Sequence, residues 1–156
     1  MFVDVRGFTA LSERFQPTTV VARLNRFYKL TAQSVFDLDG TLDEMVGNQV
    51  MAFFGAPFRP EDHAERAVQA APRIVSGVQF PGEGLEGLLV SGGVATGEVI
   101  MGNVGEGEVR DFTVIGDTVN TAARLQALAG LGELLVTDDT YREVSGRFSS
   151  SEERTL

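Results

Sequence analysis

The chain has no cysteine and no tryptophan, and only one histidine and five prolines among its 156 residues. The missing thiols exclude disulfide scaffolds and cysteine-ligated zinc sites outright. Basic side chains are scarce too: 13 Lys and Arg stand against 22 Asp and Glu, a formal net charge of −9. That balance argues against binding a nucleic-acid backbone or an anionic lipid surface, so any phosphate affinity must be local or metal-mediated. No apolar run approaches the roughly 18 residues of a membrane span, and the N-terminus lacks the basic stretch and long apolar run of a signal peptide. The expectation is a cytoplasmic domain with no nucleic-acid partner and no membrane contact of its own. What is present suits one core rather than two: 43% of the residues are hydrophobic, and 18 glycines point to tight turns and close backbone approaches.

The chain reads as alternating strands and helices. Met1-Phe2-Val3-Asp4-Val5 is apolar and β-branched except for one aspartate, a buried strand ending in a carboxylate before Gly7. Because the chain opens inside an element, it suggests a piece of something longer or a strand trimmed at its beginning. Over residues 18–39 the apolar positions Val21, Leu24, Phe27, Val35 and Leu38 recur at helical spacing, and Gly40 stops the helix. Residues 41–46 and 50–54 form two short strands around Gly47-Asn48-Gln49, a turn suited to a hairpin. A second amphipathic helix is predicted over 61–78, kinked or shortened by Pro72. A glycine-rich acidic connector, 81–87, leads to a long hairpin of residues 88–95 and 109–114 with its tip at 102–107. Asp117 is placed to cap a third helix ending near Gly130, and a last strand (134–137) and a short helix from Asp138 follow.

Strand, helix, strand, strand, helix, strand is the split order of ferredoxin-like folds. The fold class is therefore α+β: a βαββαβ core with appended elements, a mixed, mostly antiparallel sheet, and helices on one face. One domain is assigned to residues 1–148, and the polar tail 149–156 is read as disordered. Some apparent signals fail on context. Gly82, Gly84 and Gly87 have dinucleotide-loop spacing, but Pro81 precedes them where a strand should be. His63 lies in an acidic helix start, which suits a solvated side chain better than a metal ligand.

Three segments carry chemistry. They are Phe2-Val3-Asp4-Val5-Arg6-Gly7-Phe8-Thr9, then residues 40–55 around Asp43-Glu44-Met45-Val46-Gly47-Asn48, then Asp111-Phe112-Thr113-Val114-Ile115-Gly116-Asp117-Thr118-Val119-Asn120-Thr121-Ala122-Ala123-Arg124-Leu125. In this order and at these separations they resemble the catalytic domain of class III adenylate and guanylate cyclases, over roughly residues 1–145. The resemblance implies conversion of a nucleoside triphosphate, ATP or GTP, into a 3′,5′-cyclic monophosphate and pyrophosphate by attack of the ribose 3′-hydroxyl on the α-phosphorus. It also implies a head-to-tail dimer, either a homodimer or a heterodimer with another cyclase domain. One protomer would hold two Mg2+ or Mn2+ ions and the other the base and the transition state.

Each position has its own physics. Two divalent ions need anionic oxygens that bridge them. Asp4 suits this, and the backbone carbonyl of Val5 can add a ligand; a strand-terminal aspartate satisfied by nearby amides is the plainer account. Asn120 and Arg124 are four apart on a predicted helix and share a face. By resemblance, Arg124 supplies planar donors to the charge spreading over the transferring phosphoryl group and Asn120 orients the ribose.

Two positions depart from the family pattern. Asn48 stands where the resemblance calls for a second metal-binding aspartate. One unit charge lost at ~4 Å and an effective dielectric of ~20 forgoes about 4 kcal/mol of attraction. That corresponds to roughly a thousandfold in rate or metal affinity. Glu44 stands where the adenylate cyclases carry a lysine that reads adenine; a carboxylate only accepts, which suits guanine's N1 and N2 donors better. Its partner position is Thr113, a residue also found in a subgroup of bacterial adenylate cyclases. The expectation is a cyclase domain with weak or lost activity, or else an inactive module that binds nucleotide or regulates a partner.

Overall fold

A computed structural model describes residues 1–77, 88–105, 111–148 and 152–155. In chain order its elements are β1 (Phe2–Arg6), α1 (Phe8–Arg14), α2 (Pro17–Phe36), β2 (Thr41–Val46), β3 (Gln49–Phe53), α3 (His63–Gly77), β4 (Leu89–Val94), β5 (Ile100–Val104), β6 (Asp111–Ile115), α4 (Asp117–Leu128), β7 (Leu134–Val136) and α5 (Asp138–Val144). The main sheet runs β2-β3-β1-β4-β7 and is antiparallel except where β4 meets β7; β5 and β6 form a separate two-stranded sheet. The first four of these strands with α2 and α3 are the expected split βαβ core.

Period-two alternation along the strands decides what each face covers. Val3 and Val5 of β1, Val50 and Ala52 of β3, and Val90 and Val94 of β4 point one way, into a core with Phe27 and Val35 of α2 and Ala71 and Ile74 of α3. The intervening residues Phe2 and Met51 point the other way and meet Val114 of β6 and Ala122 of α4. The appended helix α4 thus lies on the second face of the sheet. It comes very close: a Cβ on Gly93 of β4 would stand 2.3 Å from the carbonyl oxygen of Ala122 and 2.4 Å from the amide nitrogen of Gln126.

Several local expectations are corrected. The long hairpin pairing residues 88–95 with 109–114 does not form. Strand β4 lies between β1 and β7, buried along nearly its whole length, and β6 pairs instead with β5. A strand apolar on both faces belongs inside a sheet, which outweighs its nearness in sequence to a glycine-rich turn. Helix α3 runs through Pro72 to Gly77, held by buried Ala67, Ala70, Ala71, Ile74 and Val75 on both sides of it. The N-cap of α4 is Gly116, and Asp117 is the first helical residue, where its charge still favours the positive end of the helix dipole. The short helix α1 was not anticipated, although Phe8, Leu11 and Phe15 carry its spacing. The connector 81–87, its three glycines and the far part of the predicted hairpin tip lie outside the described residues.

Candidate active site

Asp4 projects from the second face of β1, opposite Gln49 of β3 on one side and Ser91 of β4 on the other. Beside it is the β2–β3 turn, closed by Gly47 at φ +58, a backbone conformation that costs glycine little. The backbone carbonyl of Asn48 accepts from the Val5 amide at 2.9 Å, which pins the turn to the end of β1. In this position the side-chain nitrogen of Asn48 donates both to Oδ1 of Asp4 and, at 2.9 Å, to the carbonyl of Val5. The structure therefore unites the three expected metal-site positions, with an amide nitrogen directed at the two oxygens. Partial burial raises the Asp4 carboxyl above its ordinary pKa, while the Arg6 charge and a hydrogen bond from Gln126 pull it down.

A polar network that the sequence did not disclose supports this corner. Gln126 of α4, only 3% exposed, accepts from Gln49 at 3.1 Å and donates to Ser91 Oγ at 3.3 Å. Arg6 donates from Nε to the same Ser91 Oγ at 2.6 Å. Its Nη2 reaches the carbonyls of Gln126, Ala127 and Ala129 at 2.5, 3.0 and 2.8 Å. Those carbonyls are the unpaired acceptors at the C-terminal end of α4, where a cation is favoured. Only the sheet order makes Arg6 and α4 neighbours; the one sequence signal is a charged residue closing an apolar strand.

Asn120 and Arg124 share the exposed face of α4, whereas Ala122, Leu125 and Gln126 face the chain's own sheet. At ~100° per residue, Arg124 lies roughly opposite Gln126 on the helix. The pair is thus directed away from the chain's own Asp4, so one chain does not bring the two halves of the expected site together. Glu44 is exposed on β2, across from Met51, and it is not the partner of Thr113. A bulge between Leu42 and Glu44 displaces the register, and Thr113 Oγ1 donates to Asp43 Oδ2 at 2.5 Å. Asp43 is thus a further residue of this corner that sequence reasoning passed over. A cleft of about 1090 Å³ lies elsewhere, between the second face and the β5–β6 sheet, and none of these expected site residues lines it.

The donor set does not fit two divalent ions. Among the described residues no group of three or more His, Cys, Asp or Glu could hold a metal. At Asp4 there is one carboxylate, and the neighbouring amide presents N–H groups, which repel a cation.

A family model described as the adenylate and guanylate cyclase catalytic domain matches residues 1–155. Among curated proteins, Adenylate cyclase 1 of Rhizobium meliloti is 34% identical over 133 residues, which covers 82% of this chain and 20% of that protein. Among solved structures, the guanylyl cyclase Cya2 superposes with a TM-score of 0.89 at 32% identity, covering 99% of this chain and 81% of its own. The guanylate cyclase domain of RhGC from Catenaria anguillulae, crystallised with GTP, gives 0.85 at 29% identity over 94% and 81% of the two chains. The adenylyl cyclase CyaB from P. aeruginosa gives 0.83 at 30% identity over 94% and 79%. The chain spans about a fifth to a quarter of the length of the curated relatives it matches.

Proposed function

The chain belongs to the adenylate and guanylate cyclase catalytic-domain family, and from that premise we propose that it provides the base and transition-state half of a nucleotidyl cyclase site while its own metal half is impaired. The observation that carries this reading is the Asn48 side-chain nitrogen donating to both Asp4 and the Val5 carbonyl. A site that must attract two cations here turns N–H groups toward its two oxygens.

The reaction forms a bond from the ribose 3′-oxygen to the α-phosphorus and breaks the bond from that phosphorus to the bridging oxygen of pyrophosphate. Arg124 donates to the α-phosphoryl oxygens as negative charge builds on them, and Asn120 fixes the ribose so that the 3′-oxygen lies in line. Both project from the far side of α4, so they serve a triphosphate held against another chain. Exposed Ile100 and Phe112 of the β5–β6 sheet and Leu128 of α4 supply apolar surface for such a pairing. The GTP complex of RhGC and the adenylyl cyclase CyaB support ATP or GTP as substrate. No described helix is long and apolar enough to cross a membrane, which supports a cytoplasmic domain working as one unit over residues 1–148.

The test measures cyclic nucleotide from ATP or GTP with Mn2+, for the chain alone and mixed with a cyclase domain that keeps both metal aspartates but lacks the Asn–Arg pair. Little product alone and clear product in the mixture is expected. A mixture no more active than its parts removes the reading. Retained triphosphate binding without product in any pairing favours a second one, a nucleotide-binding regulatory module, for which the lone carboxylate at Asp4 also speaks.

A further inference from the structure

Thr113 has been treated as a reader of the nucleotide base, and the inference here rests on that reading. Its hydroxyl holds one hydrogen and two lone pairs, so a free threonine can turn to suit either a donor or an acceptor on a base edge. In this chain it cannot turn freely. Thr113 Oγ1 donates its hydrogen to Asp43 Oδ2 at 2.5 Å, and both residues are half-buried. The Asp43 carboxylate is in reach because of the bulge between Leu42 and Glu44, which breaks strict alternation along β2 and re-aims the extra residue. A carboxylate accepts only, so the sense of this bond is fixed.

We infer that Asp43 is a specificity-determining residue that acts through Thr113, locking its hydroxyl so that only lone pairs face the base. Adenine and guanine differ in polarity at position 6, an amine in one and a carbonyl in the other. A locked Thr113 accepts from the adenine amine and meets the guanine carbonyl with like polarity. Glu44, the next residue along and also an acceptor, suits guanine's N1 and N2 donors. The two neighbouring carboxylates thus pull base preference in opposite directions, Glu44 by direct contact and Asp43 through the threonine. Asp43 touches no substrate and is a positioning residue.

The experiment titrates the full chain with non-hydrolysable α,β-methylene analogues of ATP and GTP in the presence of Mn2+ and reads the ratio of the two affinities. Asp43→Leu frees the Thr113 hydrogen and should shift the ratio toward the GTP analogue by about three- to tenfold, the worth of one hydrogen bond. Thr113→Val should lower the preference for the ATP analogue by a similar factor, and adding Asp43→Leu to it should change nothing further. A purely structural role for Asp43 would weaken both analogues alike. Asp43→Asn, close to the aspartate in shape, carries the same test with a smaller shift if the leucine variant does not fold. A ratio unmoved by Asp43→Leu and Asp43→Asn overturns the inference while leaving the nucleotide site standing. Failure of the chain to bind either analogue sinks the reading of Thr113 and takes the inference with it.

Discussion

Asn48 and Asp4 are joined by a hydrogen bond in which the amide nitrogen donates to the carboxylate, and the same nitrogen donates to the Val5 carbonyl at 2.9 Å. The amide thereby satisfies, within one chain, the two oxygens that a cation would otherwise need.

Asn48→Asp should reverse that arrangement in two measurable ways. Without metal, the substitution removes two hydrogen bonds and sets a second carboxylate beside Asp4, lowering stability by about 1 to 3 kcal/mol. With Mn2+, thermal stability should recover through binding to the folded state, and cyclic nucleotide formation should rise by roughly a hundred- to a thousandfold. Unchanged turnover would show that Asn48 is not the defect.

The raised pKa of Asp4 sets a sign for pH dependence. Burial disfavours the charged form, so the folded chain holds the proton more tightly than the unfolded one. The stabilising contribution is full below the unfolded value of 3.8 and is lost as pH rises through the raised folded value. Asp4→Asn, which keeps an oxygen for the Asn48 amide, should therefore be more stable than the parent near neutral pH. The gap should close as the medium is brought below about pH 4. Denaturant midpoints across that range check it; a gap that widens on acidification contradicts it.

Arg6→Met keeps the apolar stem and removes the guanidinium that joins Ser91 to three carbonyls at the end of α4. Charge-assisted bonds of this kind make the expected loss about 2 to 4 kcal/mol. That corresponds to a fall in Tm of roughly 5 to 15 °C for a chain of this size. Amide hydrogen exchange should accelerate chiefly in α4.

Gly93→Ala tests the contact between α4 and the sheet. The added methyl would stand 2.3 and 2.4 Å from backbone atoms of α4, which cannot move independently as a side-chain tip would. The helix must shift outward, and the expected cost is about 3 kcal/mol or more. A change under ~0.5 kcal/mol would show that α4 is not seated on β4 as described.

Arg124→Ala should behave in the opposite manner. Its side chain is exposed on the far side of α4, so the unfolding midpoint should stay within ~0.5 kcal/mol of the parent. Product formation in the mixed dimer should fall by a hundredfold or more as the phosphoryl charge loses its donor.

Much of this was legible in the residues themselves. The 3.6-residue period of Val35, Phe27 and their neighbours, the alternation in β1 and β3, and the Gly47-Asn48 turn all depend on contacts close in sequence. The same holds for placing Asn120 and Arg124 on one helical face. The partner of each strand was harder to read. Val90 and Val94 mark β4 as buried, but nothing in 88–95 says that its neighbours are β1 and β7 rather than β6.

The sequence by itself determined the elements, the core face of each, and a family likeness carried by three ordered segments, because periodicity and turn chemistry are local properties of a chain. Tertiary structure alone decided that α4 sits on the second face, that Arg6 closes its C-terminal end, that Asn48 turns its nitrogen to Asp4, and that a bulge delivers Asp43 to Thr113. Each of these joins groups distant along the chain, and the free energy of a hydrogen bond or a close packing depends on separation in space, which no local pattern encodes.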